Sequence, residues 1–300
     1  MKLDFKSPEL SDLRWAEPIL SGSGIDACDY NFTNLFLWRR ACEQKICLYD
    51  GILFIKVKGI MGDAFLMPVG DKSLEYSLGL LKSSIAENEK LRLVCVTEKE
   101  KEKLQEEFQA IAEFTENRDY WDYVYSVDKL ADLKGRKMHS KRNHINRFME
   151  DFRDWTFEKL SDDNAAECMR LVDKWKDEKK SAGADKDLLT DEYLVDMDIL
   201  KYKNELNILG GVLRVNGSIA AFSAGSLLNR QTFDVNVEKA DDSFPGSYAL
   251  VNQQTARLVR SVYPDVKWIN REDDLGISGL RKSKLSYYPD LMVKKYTALI

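Results

Sequence analysis

Hydrophobic and polar positions change period several times along the 300-residue chain, and each change marks an element. Phe32, Leu35, Phe36 and Trp38 recur at near-helical spacing within residues 29–40, and Arg39 and Arg40 suit a helix C-terminus. Residues 45–49 and 52–58 alternate as strands around Asp50-Gly51, a two-residue hairpin signal, and 64–69 adds a third strand. Leu74, Leu78, Leu81 and Ile85 set a helix over 74–86. A compact strand at 91–96, a Lys/Glu-rich helix at 98–108 and strands at 112–115 and 120–125 complete this half.

The second half follows the same order. Helices over 163–179 and 190–200 lead to a strand at 206–215, a hairpin turn at Asn216-Gly217, and strands at 218–228 and 231–237. A helix over 247–262 starts after Pro245-Gly246 and stops before Pro264, and a short strand at 266–270, a helix at 279–285 and a last strand at 291–299 follow. The repeated element order predicts an α/β (α+β) protein built from two copies of one unit, divided as 1–133 and 134–300.

Composition narrows the class. With 44% hydrophobic and 32% charged residues the chain can bury a large core, and its net charge of -5 argues against a surface coated in cations for non-specific nucleic-acid binding. Any anion site is therefore local. The first residues lack an uninterrupted apolar segment and no apolar run reaches the roughly 20 residues of a membrane helix, so a cytoplasmic protein without an integral membrane segment is expected. Cys28, Cys42, Cys47, Cys95 and Cys168 form no CxxC pair, which supports neither a disulfide framework nor a thiolate zinc site; they read as reduced packing residues.

Two segments depart from this background. Residues 134–147 hold Lys134, Arg136, Lys137, Lys141, Arg142 and Arg147 with both histidines, His139 and His144, and no carboxylate. Ile145, Phe148, Met149 and Phe152 make the run from His139 an amphipathic helix, with Lys141 and Arg142 at the edges of its apolar stripe. Cations in a first turn oppose the helix dipole, a penalty that a bound phosphate would reverse. The histidines, five apart, share no helical face and are not read as metal ligands. The second segment is KWINREDDLGISGLRKSKLSYYP, from Lys267 to Pro289: a strand, the acidic turn Arg271-Glu272-Asp273-Asp274, and a basic helix with Arg281, Lys282 and Lys284. Four adjacent charges are expected outside the core, with the carboxylates facing the cations of the helix. A solvated loop with weak surface ion pairs would carry the same pattern.

These two segments, together with DYNFTNLFLW near the start, resemble the family of the C-terminal, aminoacyl-transferring domain of phosphatidylglycerol lysyltransferases, which is similar in turn to the Fem peptidyltransferases. The resemblance covers nearly the whole chain. It implies tandem GNAT-like acyltransferase folds, each a mixed, mostly antiparallel sheet flanked by helices, with the active site mainly in the second copy. It also implies transfer of an amino acid from aminoacyl-tRNA, with no covalently bound cofactor, to a small-molecule, peptide or lipid acceptor bearing an amine or hydroxyl.

Such chemistry needs a base, donors for a tetrahedral oxyanion, and cations for phosphates. Glu272, Asp273 and Asp234 are the candidate carboxylates, and Tyr248, Tyr287 or Tyr288 the candidate proton donors. Lys141, Arg142, Arg281, Lys282 and Lys284 are candidate anion clamps, with Gly246 and Ser247 able to cap a helix and hold phosphate. Tyr287 and Tyr288 would equally pack beside Pro289, and Asp234 and Asn236 would equally meet solvent from an alternating strand. Two other readings stay open: an acyl-CoA-dependent N-acyltransferase, although Ser243-Phe244-Pro245-Gly246-Ser247-Tyr248 keeps only the middle glycine of a pyrophosphate loop, and a non-catalytic module binding tRNA or another polyphosphate. The lysyltransferases carry a membrane region that the apolar runs here do not lead one to expect, which leaves the acceptor open. The sequence does not specify the oligomeric state.

Overall fold

The computed structural model describes residues 3–59, 62–86, 89–108, 113–181, 183 and 185–300. In chain order its first elements are α1 (Leu13–Gly22), α2 (Phe32–Leu37), β1 (Lys45–Tyr49), β2 (Ile52–Gly59), β3 (Gly62–Phe65), α3 (Leu74–Lys82), β4 (Arg92–Thr97), α4 (Glu98–Glu107), β5 (Glu113–Glu116), β6 (Asp122–Ser126) and α5 (Val127–Asp132). There follow α6 (His139–Asp151), β7 (Trp155–Lys159), α7 (Asp162–Ser181), α8 (Lys186–Lys201), β8 (Leu209–Val215), β9 (Ser218–Asn229), β10 (Thr232–Ala240), α9 (Ser247–Val262), β11 (Trp268–Asn270), α10 (Ser278–Leu285), β12 (Leu291–Val293) and β13 (Lys295–Leu299). The expected mixed, mostly antiparallel sheets flanked by helices are present, ordered β1-β2-β3-β4-β13-β5 and β12-β6-β11-β10-β9-β8-β7.

The chain separates into two compact units. One gathers Met1–Asp122, Asp273–Ser278 and Met292–Ile300, the other Tyr123–Glu272 and Gly279–Leu291. Where the sequence reading drew one cut after Leu133, contacts draw the first boundary after Asp122 and return the last strand to the first unit.

In that first unit, Tyr49 pairs with Ile52 across Asp50-Gly51, both with positive φ, as a two-residue hairpin turn requires. Asn31 caps α2, its side chain accepting from the Thr33 N–H at 2.8 Å, so the expected helix is shorter than residues 29–40. Of the strand expected at 112–115, Ala112 lies outside the described residues; β5 pairs with β13 from Tyr296↔Glu116 to Leu299↔Glu113. Tyr30, Phe32, Leu35 and Phe54 fill the core.

A buried charge cluster fastens β13. The Lys295 ammonium lies 2.7 Å from Asp122, 2.5 Å from Asp29 and 3.4 Å from the Cys28 sulfur. Burial works against its charge, but Asp122 and Asp29 outweigh burial and raise its pKa well above the ordinary lysine value. The Cys28 backbone N–H donates to Asp122 at 2.8 Å, and the Cys95 thiol to Asp29 at 3.1 Å. Cys28 and Cys95 thus serve a polar cluster rather than simple packing. The cluster also explains why the single strand expected over 291–299 divides. Lys295 turns inward to its carboxylates, and β12 and β13 pair in different sheets.

The second unit centres on β9 and β10, antiparallel neighbours whose register shifts between Asp234 and Val237. Gly225 permits the close approach there: a Cβ on it would stand 2.0 Å from the Asp234 carbonyl oxygen. β11 runs parallel to β10, setting Asn270 beside Asp234. α9 packs against this sheet through Leu250, Val251, Ala256 and Val259. Its cap is Gly246, at φ +97, and Ser247 is its first helical residue, which corrects the expectation that Ser247 caps it. Gly246 is needed twice over, because a Cβ would also meet the His144 carbonyl oxygen of α6 at 2.7 Å.

Candidate functional site

The turn after β11 departs most from the sequence reading. Two of its four charges are buried: Arg271 belongs to the second unit with a side chain only 10% exposed, and Asp274 to the first. A charge can leave water when an opposite charge and hydrogen bonds replace it. Asp274 has the Arg118 guanidinium at 3.3 Å and accepts from the Gly276 N–H at 2.9 Å. Arg271 has Glu238 at 2.9 Å, itself 11% exposed.

Around Arg271 the second unit assembles a polar cluster. Glu238 Oε1 accepts from Arg271 Nη2, and Glu238 Oε2 accepts from Asn252 of α9 at 3.2 Å. The Tyr287 ring lies 5.1 Å from the guanidinium and 4.0 Å from the Lys141 ammonium. The backbone fixes the arginine at both ends: its N–H donates to the Tyr123 carbonyl at 2.9 Å, and its carbonyl accepts from Lys284 Nζ at 2.5 Å. One donor remains unused. Arg271 Nη1 is buried without a hydrogen-bond partner among the described residues, as are Asn252 Oδ1 and, one turn on, Thr255 Oγ1. A buried donor without a partner costs about 1–3 kcal/mol, which a ligand can recover.

The electrostatics follow from burial beside paired charges. Burial, then repulsion from Arg271, pushes the Lys141 amine down to about 8, with Glu238 acting against the shift. Burial pushes the Tyr287 phenol up to about 12 and the Tyr125 phenol up as well. For Arg271, burial opposes the charge, yet Glu238 and the two phenols leave its pKa raised.

A second set of carboxylates adjoins this one along β10 and the turn. Asn236 Nδ2 donates to Asp234 Oδ2 at 3.1 Å and to Glu272 Oε1 at 3.3 Å, and the Glu272 N–H donates to Asn270 at 2.7 Å. Glu272 holds φ +55, a conformation sparsely populated by side chains other than glycine and often found at functional sites. Asp234 is fully buried, so the solvent-facing reading of this strand face does not hold.

The predicted residues therefore divide. Lys141, Lys284, Tyr287, Asp234 and Glu272 come together in the second unit, whereas Asp273 belongs to the first. Arg142 donates to the carbonyls of Leu133 and Gly135, the latter at 2.8 Å, and so caps α5. Arg142→Ala is expected to lower stability by about 1–2 kcal/mol in urea denaturation. Arg281 is half-buried on α10 and Lys282 is exposed. The Tyr248 hydroxyl meets the Ala240 N–H, and burial pushes it up to about 12 although the residue is 41% exposed. Clefts of about 520 and 510 Å³ are lined by residues such as Lys6 and Trp15 in the first unit and by Asp128, Lys129, Asp132 and Lys134 in the second, none of them in the cluster.

Glu238 and Arg271 were not singled out from sequence. The signal for Glu238 was the polar series Asp234, Asn236, Glu238 alternating with Val235 and Val237, carried one step further. Arg271 carried no such signal along the chain: only the structure shows that the strand before it pairs in parallel with β10, and ligands collect at the carboxyl ends of such strands.

Fold and geometry together define a GNAT-like α/β protein with a buried arginine–glutamate site. The chain belongs to the family described as "Phosphatidylglycerol lysyltransferase, C-terminal", matched over residues 23–299. It is similar to a conserved protein of unknown function from Bacteroides thetaiotaomicron VPI-5482, with 34% identity, 99% of each chain covered and a TM-score of 0.92. The C-terminal domain of a putative lysylphosphatidylglycerol synthetase from Agrobacterium fabrum shares the fold at 14% identity, covering 96% of this chain and 91% of that one with a TM-score of 0.64. So does a GNAT-family acetyltransferase from Colwellia psychrerythraea, at 11% identity, 100% and 99% coverage and a TM-score of 0.50. The curated relative it matches, an uncharacterised Mycoplasmoides gallisepticum protein, is 25% identical over 183 residues, which is 58% of this chain and about half (54%) of that protein. Among the described residues no helix is long and apolar enough to cross a membrane.

Proposed function

We propose that this protein is an aminoacyltransferase that moves an amino acid from aminoacyl-tRNA to an amine or hydroxyl acceptor, a lipid headgroup being the acceptor class that the family description suggests. The observation that carries the reading is the unused Arg271 Nη1 donor, buried beside Glu238, Lys141 and Tyr287. In the reaction the acceptor attacks the ester carbonyl, a tetrahedral oxyanion forms, and the bond to the tRNA 3′ oxygen breaks as that oxygen takes up a proton. A fixed donor in a water-poor site stabilises such an oxyanion far better than water does. Glu238 holds the guanidinium in place, Lys141 supplies positive charge to the anionic donor, and Glu272 with Asp234 takes the proton from the acceptor.

The acyl-CoA reading has less support. The first turn of α9, where a pyrophosphate would sit, lies against the α6 backbone at His144 and the side chain of Phe148, and the Ser247 N–H is already given to the Phe244 carbonyl. Incubation with a panel of charged tRNAs tests the proposal. Accelerated loss of the aminoacyl ester with at least one of them is expected, whereas salt-sensitive binding without turnover would leave only a binding module.

The Lys141 shift gives this reading a pH dependence. An amine held near 8 is charged below that pH and neutral above it, so donor binding is expected to weaken as pH rises through about 8. Lys141→Arg, which stays charged, should flatten that limb in a filter-binding titration from pH 6.5 to 9.5.

A further inference from the structure

From the last residue of α10 onward the second unit exposes apolar side chains to solvent. Leu285 is 44% exposed, Tyr288 44% and Leu291 50%, all within one short run. The Tyr288 N–H donates to the Leu285 carbonyl at 2.9 Å, and its φ of +53 turns the chain sharply there. Leu291 opens β12, the edge strand of its sheet. Isolated exposed leucines need no explanation, but three large apolar groups joined by one turn do.

Cations surround them. Lys137 stands 5.2 Å from the Tyr288 ring, Lys129 donates to the Tyr288 carbonyl at 2.7 Å, and Lys282 is exposed one turn before Leu285. Lys134 and Arg136 are exposed on the segment that carries Lys137. The nearby carboxylates are matched: Asp290 pairs with Lys129, Asp132 with Lys134 and Arg260, and Asp128 with Arg260. The local balance is positive on a chain whose net charge is -5.

We infer that this surface docks on an anionic lipid bilayer, Tyr288 at headgroup level, Leu285 and Leu291 in the apolar boundary, and Lys137, Lys282 and Arg136 over the anionic headgroups. A tyrosine between leucines and lysines is the composition that an interface of this kind selects. Nucleic acid would use the cations and the ring but gains little from two leucines. The inference goes beyond the transfer reaction and needs no acyl donor.

Flotation with vesicles of phosphatidylglycerol and phosphatidylcholine, against vesicles of phosphatidylcholine alone, tests it. Binding to the anionic vesicles only is expected. The double variant Leu285→Ser/Leu291→Ser should weaken that binding about tenfold, and Lys137→Gln and Lys282→Gln about fivefold each. Tyr288→Ala gives an independent reading of the same surface, and an unchanged thermal midpoint certifies each variant as folded. Equal binding to neutral vesicles, unchanged affinity in the leucine variant, or binding to uncharged tRNA in place of vesicles would overturn the inference. Because no transfer step enters this assay, its failure and that of the charged-tRNA assay are separable.

Discussion

Arg271→Lys is expected to lower the rate of aminoacyl transfer by about 10²–10³-fold, the effect of removing one preorganised oxyanion donor. Lysine keeps the charge that Glu238 requires, but its compact ammonium cannot serve Glu238 and also offer a second N–H in the direction of Nη1. The loss should therefore fall on kcat with KM nearly unchanged. Arg271→Met is a different experiment. It leaves Glu238 buried with Asn252 as its remaining side-chain partner among the described residues, and the cost is expected to appear in stability, about 3–5 kcal/mol. Comparing the two separates the chemical role of the arginine from its structural one.

A stability effect of the same size is expected in the first unit, at Lys295. Lys295→Met should destabilise the protein by about 3–5 kcal/mol in urea denaturation, because it leaves the fully buried Asp122 and its neighbour Asp29 without their counter-charge. Adding Asp122→Asn to Lys295→Met should recover part of that loss, since the remaining amide carries no charge to desolvate. A loss below about 1 kcal/mol, the range of exposed ion pairs, would show that water reaches the cluster.

Much of the fold was legible because it rests on local periodicity. The hairpin at Asp50-Gly51, the helix between Gly246 and Tyr263 and the amphipathic α6 follow from turn chemistry and from 2.0 and 3.6 spacings that need no tertiary information. The candidate site was legible only in part. Lys141 and Tyr287 were found because a basic run without carboxylates and a Tyr-Tyr-Pro stand out in an acidic chain. Arg271 and Glu238 were passed over because charge in a sequence reads as surface. Only their pairing, between positions 33 residues apart, shows that the charge is buried. Lys295 was missed for the same reason: next to Lys294 it looks like one more solvated lysine, and its carboxylates lie in residues 29 and 122. Long-range compensation of charge is invisible to a reading made along the chain.

The most direct test follows a radiolabelled amino acid from charged tRNA in the presence of phosphatidylglycerol vesicles, with wild-type protein and Arg271→Lys side by side. Label extracting into the organic phase as an aminoacyl ester, fast with wild type and at least a hundredfold slower with the variant, is the result this account predicts. Label that remains on the tRNA at equal levels with both proteins, or reaches the lipid equally fast with both, would contradict it.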